Sequence, residues 1–237
     1  MRLKISFSKN TSDVKVNNQS LINSWIHKCL GVNNVYHNVK SDYNISHLYG
    51  GKLNADKQTL SFENGGFLII SSKNNEFINK MLVGIINNAE LINGMKFSGV
   101  DYINENFLDG WNHFSTLSPF IIKNYTSKKI YKFLTLKDPG FEQQVKSYLI
   151  NKLSKIDPTL ELSNFDVKIP EHPNHKIKKI MIKNVINTAN QCQISIFTNK
   201  KVAELLYNIG VGQSTGSGFG CIYKTENHSI YKLGLKK

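Results

Sequence analysis

Gly210-Val211-Gly212-Gln213-Ser214-Thr215-Gly216-Ser217-Gly218-Phe219-Gly220 is the stretch on which the reading of this chain turns. Two Gly-apolar-Gly triplets bracket five small or polar residues. Helix and strand interiors disfavour so many glycines, because glycine loses more backbone freedom on ordering than any other residue. The stretch makes sense where the backbone itself must come close to something, with bare N–H groups and positive φ angles to offer. A phosphate-bearing partner is the usual reason. The Gly-Lys-Ser/Thr ending of an NTPase phosphate loop is missing. A dinucleotide-binding fingerprint follows a strand and opens a helix, and here the order is reversed. Residues 200–209 predict a short helix with Val202, Leu205, Leu206 and Ile209 on one face, and the loop leads into a last strand over 219–224.

Composition points to the same kind of partner. The chain has 237 residues, of which 40% are hydrophobic, enough for one large or two small folded cores. Its formal net charge of +13 favours an anionic partner over a merely solvated surface. Arg2 is the only arginine, so the charge is carried by lysine. Lysine neutralises phosphate as a point charge but lacks the planar fork that reads guanine edges. Base recognition should therefore fall to Asn, Gln, Ser, Thr, aromatic rings and backbone. No stretch is long enough to span a membrane. The alternating start, Met1-Arg2-Leu3-Lys4-Ile5-Ser6-Phe7, lacks the apolar core of a secretory signal. Cys29, Cys192 and Cys221 are widely scattered and read as buried thiols in a reducing cytoplasm.

Hydrophobic periodicity predicts a β-α-β-β-α-β order in the first half. Strands are expected over 3–8 and 43–48, a hairpin over 59–62 and 66–71 across Glu63-Asn64-Gly65, and a strand over 95–103. Helices are expected over 21–30, closed by Gly31, and over 76–87, where Phe77, Met81, Leu82, Ile85 and Ile86 recur at helical spacing. The second half predicts a looser copy: strands over 114–123 and 130–134, a helix over 140–153 after Pro139, strands within 165–169 and 177–197, then the short helix, the glycine loop and the last strand. The fold class is α+β, two tandem ferredoxin-like (RRM-like) domains spanning 1–110 and 111–237. Lysines cluster at Lys128 and Lys129, at Lys176, Lys178, Lys179 and Lys183, and in the tail at Lys232, Lys236 and Lys237. Three lysines within four residues repel one another without an anion. The segment over 176–183 predicts a strand with one buried face and one face of ammonium groups.

A helix, a glycine loop and a final strand in this order resemble the C-terminal signature of the RAMP superfamily, and within it the CRISPR repeat-processing endoribonucleases. The first half carries matching elements in the right order: Leu21 to His27 in the first helix, Tyr36-His37 in the following loop, Tyr43-Asn44-Ile45-Ser46, Leu68-Ile69-Ile70-Ser71-Ser72, and Ser115-Thr116-Leu117-Ser118-Pro119 at the start of the second domain. The resemblance implies cleavage of CRISPR repeat RNA without a metal or other cofactor. The ribose 2′-OH attacks the adjacent phosphate, leaving 2′,3′-cyclic phosphate and 5′-OH ends. Such chemistry needs a base, an acid and positive charge beside the phosphorane. Histidine suits the first two roles near neutrality.

By this resemblance His37 is the family's loop histidine and the first catalytic candidate. His27 stands where relatives often carry tyrosine, and reads either as the second member of a histidine pair or as a structural helix residue. Lys40 follows His37 by three residues and reads as charge stabilisation or as a solvated loop lysine. His47 lies beside the serine of the extended segment and competes for the same cleft. His172 and His175, with Pro170 and Pro173 around them, read as exposed loop histidines more than as a metal set. Gly210, Gly212, Gln213, Ser214, Thr215, Gly216, Ser217, Gly218 and Gly220 read as an RNA backbone contact and as a brace between the domains. The lysines at 128, 129, 176, 178, 179 and 183 read as phosphate contacts. The implied partners are CRISPR repeat RNA and a CRISPR effector complex, with the protein a cytoplasmic monomer or homodimer. A second hypothesis from the same superfamily is a catalytically silent subunit that holds guide RNA. A general tandem RRM-like binder is less consistent, because the Lys/Arg-Gly-Phe/Tyr type of motif is missing.

Overall fold

The computed structural model describes residues 1–31, 34–36, 41–127 and 130–225. His37 and Lys40, Lys128 and Lys129, and the tail with Lys232, Lys236 and Lys237 lie outside the described residues. The elements run β1 (Arg2–Phe7), β2 (Val14–Lys15), α1 (Gln19–Leu30), β3 (Tyr43–Ile45), β4 (Lys52–Leu53), β5 (Thr59–Ser61), β6 (Gly66–Ser72), α2 (Asn75–Asn87) and β7 (Phe97–Tyr102). They continue with β8 (Gly110–Thr116), β9 (Ile122–Tyr125), β10 (Tyr131–Leu134), α3 (Phe141–Ile156), β11 (Asp166–Lys168), β12 (Lys176–Ile182), β13 (Val185–Gln191), β14 (Gln193–Thr198), α4 (Lys200–Ile209) and β15 (Ile222–Lys224).

Two four-stranded antiparallel sheets carry the fold. The first has the order β3-β6-β1-β7 and the second β11-β14-β8-β15. With α1 and α2, and α3 and α4, filling the crossovers, both sheets have the ferredoxin-like arrangement, so the chain is a double ferredoxin-like α+β protein. Period-two alternation explains the layering. Leu3, Ile5, Leu68 and Ile70 turn one sheet face onto Ile22, Trp25, Ile26, Phe77, Met81 and Ile85 of the helices. Phe114, Ile194, Ile196 and Ile222 do the same over Val145, Leu149, Leu153, Val202 and Leu206. A smaller cluster of Phe67, Ile69, Leu117 and Cys221 packs β6 against the second half of the chain. No helix among the described residues is long and apolar enough to cross a membrane.

Four local expectations are corrected. β5 does not pair with β6 as a hairpin. It pairs with β2 and β4, because β1 and β3 already occupy both edges of β6. The strand expected over 114–123 is broken after Thr116. There the N–H groups of Leu117 and Ser118 both donate to the Cys221 carbonyl, and Pro119 has no N–H to continue a ladder. The segment over 176–183 is not a strand with one charged face. Lys176 and Lys178 share the face of Ile180 and Ile182, while Lys179 lies with Ile177 and Met181, and all three lysines are exposed. The face expected for α2 is narrower too, since Ile86 is 70% exposed.

Candidate RNA-processing site

The glycine loop is a seam more than a surface. Gly210, Gly212, Ser214, Gly218 and Gly220 have φ angles of 74°, 74°, 58°, 97° and 69°, the left-handed conformations that glycine adopts without strain. Several N–H groups are consumed internally. Val211 donates to the Gly220 carbonyl at 2.9 Å, Gln213 to that of Ile121 at 2.9 Å, Gly220 to that of Pro119 at 3.0 Å and Ser217 to that of Ser214 at 2.9 Å. The close approach that the glycines permit is therefore to the first half of the chain. A Cβ on Gly216 would lie 2.3 Å from the Ser41 hydroxyl and 2.8 Å from the Tyr43 ring. One on Gly218 would lie 2.4 Å from the Gln19 amide, and one on Gly210 2.5 Å from Asn44 Nδ2. Polar bonds close the seam: Thr215 Oγ1 donates to the Tyr43 carbonyl at 2.9 Å, and Asn44 Nδ2 to that of Phe219 at 2.9 Å. From behind, Lys152 Nζ donates to the carbonyls of Ile209, Gly210 and Gly212 at 3.3, 2.8 and 3.3 Å. A cation at those carbonyls complements the C-terminal end of α4.

Helix α1 turns a polar edge to this loop. Ile22, Trp25, Ile26, Cys29 and Leu30 are buried in the core. Gln19, Asn23 and His27 recur every fourth residue and so line a neighbouring stripe. Gln19 Nε2 donates to Asn23 Oδ1 at 3.1 Å, and Asn23 Nδ2 donates to the Ser217 carbonyl at 3.4 Å. His27 follows one turn further and is partly exposed. Ser214 is exposed, and Gln213 and Ser217 are partly so. Tyr36 and Ser41 bound the segment that carries His37 and Lys40. Tyr36 packs edge-on against Tyr43 and Phe77, and Ser41 sits against Gly216.

His47 belongs to the seam and not to an open cleft. Its backbone N–H donates to Ser118 Oγ at 2.9 Å, and its ring meets Phe219 edge-on at 6.3 Å. Although the residue as a whole is partly exposed, Nε2 is sealed from solvent and has no hydrogen-bond partner. Desolvation lowers its pKa to about 4, so the ring is neutral near pH 7. The rings of His172 and His175 lie tilted to each other in a loop, 5.5 Å apart, with His175 Nε2 accepting from the Gln193 N–H at 3.0 Å. Among the described residues no three His, Cys, Asp or Glu side chains gather to hold a metal ion.

The sequence did not single out Gln19, Asn23, Asn44 or Lys152. The i, i+4, i+8 spacing of Gln19, Asn23 and His27 was the one available signal. The others act through contacts more than a hundred residues away, or, for Lys152, through backbone carbonyls.

Two ferredoxin-like units are stapled by a glycine loop between the last helix and the last strand. The chain belongs to the family of CRISPR associated protein Cas6, whose C-terminal model matches residues 103–223, just over half of the chain. The fold is similar to that of a Cas6-related gene product from Pyrococcus furiosus, with a TM-score of 0.82, 18% identity and coverage of 96% of this chain and 99% of that one. It is also similar to a RAMP protein binding different RNA substrates, with a TM-score of 0.81, 19% identity and coverage of 94% and 99%. A Thermus thermophilus Cas6 aligns with a TM-score of 0.61 at 10% identity, over 93% of this chain and 96% of that one. No curated protein matches the chain by sequence. Family membership ties the chain to CRISPR RNA.

Proposed function

We propose that the protein cleaves CRISPR repeat RNA by in-line attack of a ribose 2′-OH, leaving 2′,3′-cyclic phosphate and 5′-OH ends without help from a metal. The observation that carries this reading is the convergence on the glycine loop. The Gln19-Asn23-His27 edge of α1 arrives from one side, and the residues bounding the segment of His37 and Lys40 arrive at Tyr43 and Gly216. A histidine on a helix edge, with a histidine and a lysine in the sequence segment between Tyr36 and Ser41, would supply the acid, the base and the positive charge that this reaction requires. In this reading His27 and His37 exchange protons with the 2′-OH and the departing 5′ oxygen, and Lys40 neutralises the phosphorane. His47 is left out of this reading, because its Nε2 is sealed from solvent and its ring lies against Phe219. The glycine loop holds the two halves in register and offers Ser214 and the edges of Gln213 and Ser217 to RNA. The exposed lysines 176, 178, 179 and 183 draw in the backbone, an interaction that weakens as salt rises.

Incubation with cognate repeat RNA in EDTA, followed by end-group analysis, tests the reading. Wild type should yield a cyclic phosphate, and His37→Ala and His27→Ala should each slow single-turnover cleavage by roughly 100-fold or more. Tight binding with no cleavage by wild type would assign the protein to guide-RNA holding instead.

A further inference from the structure

We propose that the β9–β10 hairpin is a stacking track that carries single-stranded RNA away from the glycine loop. This deepens the RNA-processing reading and rests on it. The hairpin lies outside both ferredoxin-like sheets, as an excursion between β8 and α3. One of its faces is structural: Ile122 and Leu134 are buried in the second core. The other face carries Lys123, Tyr125, Tyr131 and Phe133, which strand alternation brings to one side.

These four side chains form a continuous ladder. The Tyr125 and Tyr131 rings are 5.4 Å apart, and those of Tyr131 and Phe133 5.3 Å. Lys123 Nζ sits 4.1 Å from the Tyr131 ring centre and 5.5 Å from that of Phe133. At the inner end Phe133, with Ile180 and Ile182 of β12, packs against Ile121, Ala189 and Phe219, the last a member of the glycine loop. At the outer end Tyr125 is 51% exposed and Ile130 67%. Beside the ladder, Lys176 and Lys178 continue the face of Ile180 and Ile182 as exposed ammonium groups.

The chemistry matches unpaired nucleic acid. Aromatic faces accept any base by stacking, and a line of cations tracks the phosphates. Alternate residues along a strand are roughly 6.8 Å apart, a step that an extended nucleotide chain can follow. The lysines also set the charge of the occupant, which must be an anion.

The test is fluorescence anisotropy with a labelled, unstructured oligoribonucleotide of adenine and cytosine, titrated against the full chain across a range of salt. Tyr125→Leu and Tyr131→Leu should each weaken binding about 10-fold without changing the salt slope, because they remove stacking and no charge. Tyr125→Trp should bind at least as tightly as wild type. Lys123→Gln should reduce the salt slope by roughly 0.7. Tyr125 is exposed enough that its variants keep the test valid if Tyr131→Leu fails to fold. Equal affinity of Tyr125→Leu and wild type overturns the track and leaves the cleavage reading intact. A changed oligomeric state of Tyr125→Leu with unchanged RNA affinity assigns the hairpin to a protein contact and also overturns it. Wild type that binds no unstructured RNA overturns the track, and cleavage of repeat RNA, assayed separately, decides whether the broader reading falls with it.

Discussion

The Arg2 guanidinium lies 3.9 Å from the centre of the Tyr207 ring, and its Nη1 donates to the Tyr207 carbonyl at 2.8 Å. The only arginine of the chain is thus spent inside it. Nη2 donates to the Ile222 carbonyl at 2.6 Å and lies 3.0 Å from Cys221 Sγ. A residue of β1 thereby grips both α4 and β15, at either end of the glycine loop. Desolvation pushes the Tyr207 phenol up to about 12 and raises the Cys221 thiol, while the neighbouring Arg2 cation pulls both down. A planar fork serves these divergent acceptors, and a lysine ammonium cannot.

Arg2→Lys should therefore destabilise the protein by at least about 1 kcal/mol in urea unfolding. Arg2→Ala should cost on the order of 2–4 kcal/mol, since it strands buried acceptors. If Arg2→Lys unfolds at the wild-type midpoint, the fork is not what holds the two halves together.

His47 gives the seam a dependence on acid. Its folded pKa of about 4 lies below the ordinary histidine value near 6.5. The unfolded chain then binds more protons than the native one between those values. Stability is fully present above about pH 6.5 and falls as pH drops towards 4. His47→Gln should flatten this part of the stability–pH curve relative to wild type, by on the order of 2–3 kcal/mol across the window. Parallel curves for the two proteins would mean that another group, such as His175, whose pKa burial also lowers, governs the acid limb.

How much of this was legible in the sequence follows from the range of each interaction. Helix α4 could be read because Val202, Leu206 and Ile209 repeat at helical spacing within one element. The glycine loop was legible as a need for close approach, but not in its direction. What approaches Gly216 and Gly218 is Tyr43 and Gln19, some 170–200 positions earlier, and no local pattern encodes that. The pairing of β5 is illegible for the same reason: Glu63-Asn64-Gly65 forms a turn, but competing edges decide which strands pair. His47 looked like a cleft residue because alternation predicts a direction without predicting that Phe219 closes over it.

The closeness of the loop can be tested at Gly218. Alanine there would meet the Gln19 amide at 2.4 Å and would also have to hold φ near 97°. Gly218→Ala should lower stability by about 2–3 kcal/mol. Adding Gln19→Ala should return only the steric part, leaving the 1–2 kcal/mol cost of a left-handed residue. Full recovery in the double variant would show that backbone conformation imposes no requirement for glycine there.

Lys152 separates holding the loop from holding RNA. Its ammonium is turned to three carbonyls around the loop entrance, so its charge serves the fold more than it serves a phosphate. Lys152→Met keeps the aliphatic stem and removes the donors, which should loosen the loop against Tyr43 and Gln19. Because the proposed cleavage would depend on positioning, its single-turnover rate should fall about 10-fold. Affinity for repeat RNA and its salt slope should stay near wild type. If the salt slope drops by roughly 0.7–0.9, Lys152 neutralises a phosphate in the complex, and the bonds seen here must open when RNA binds.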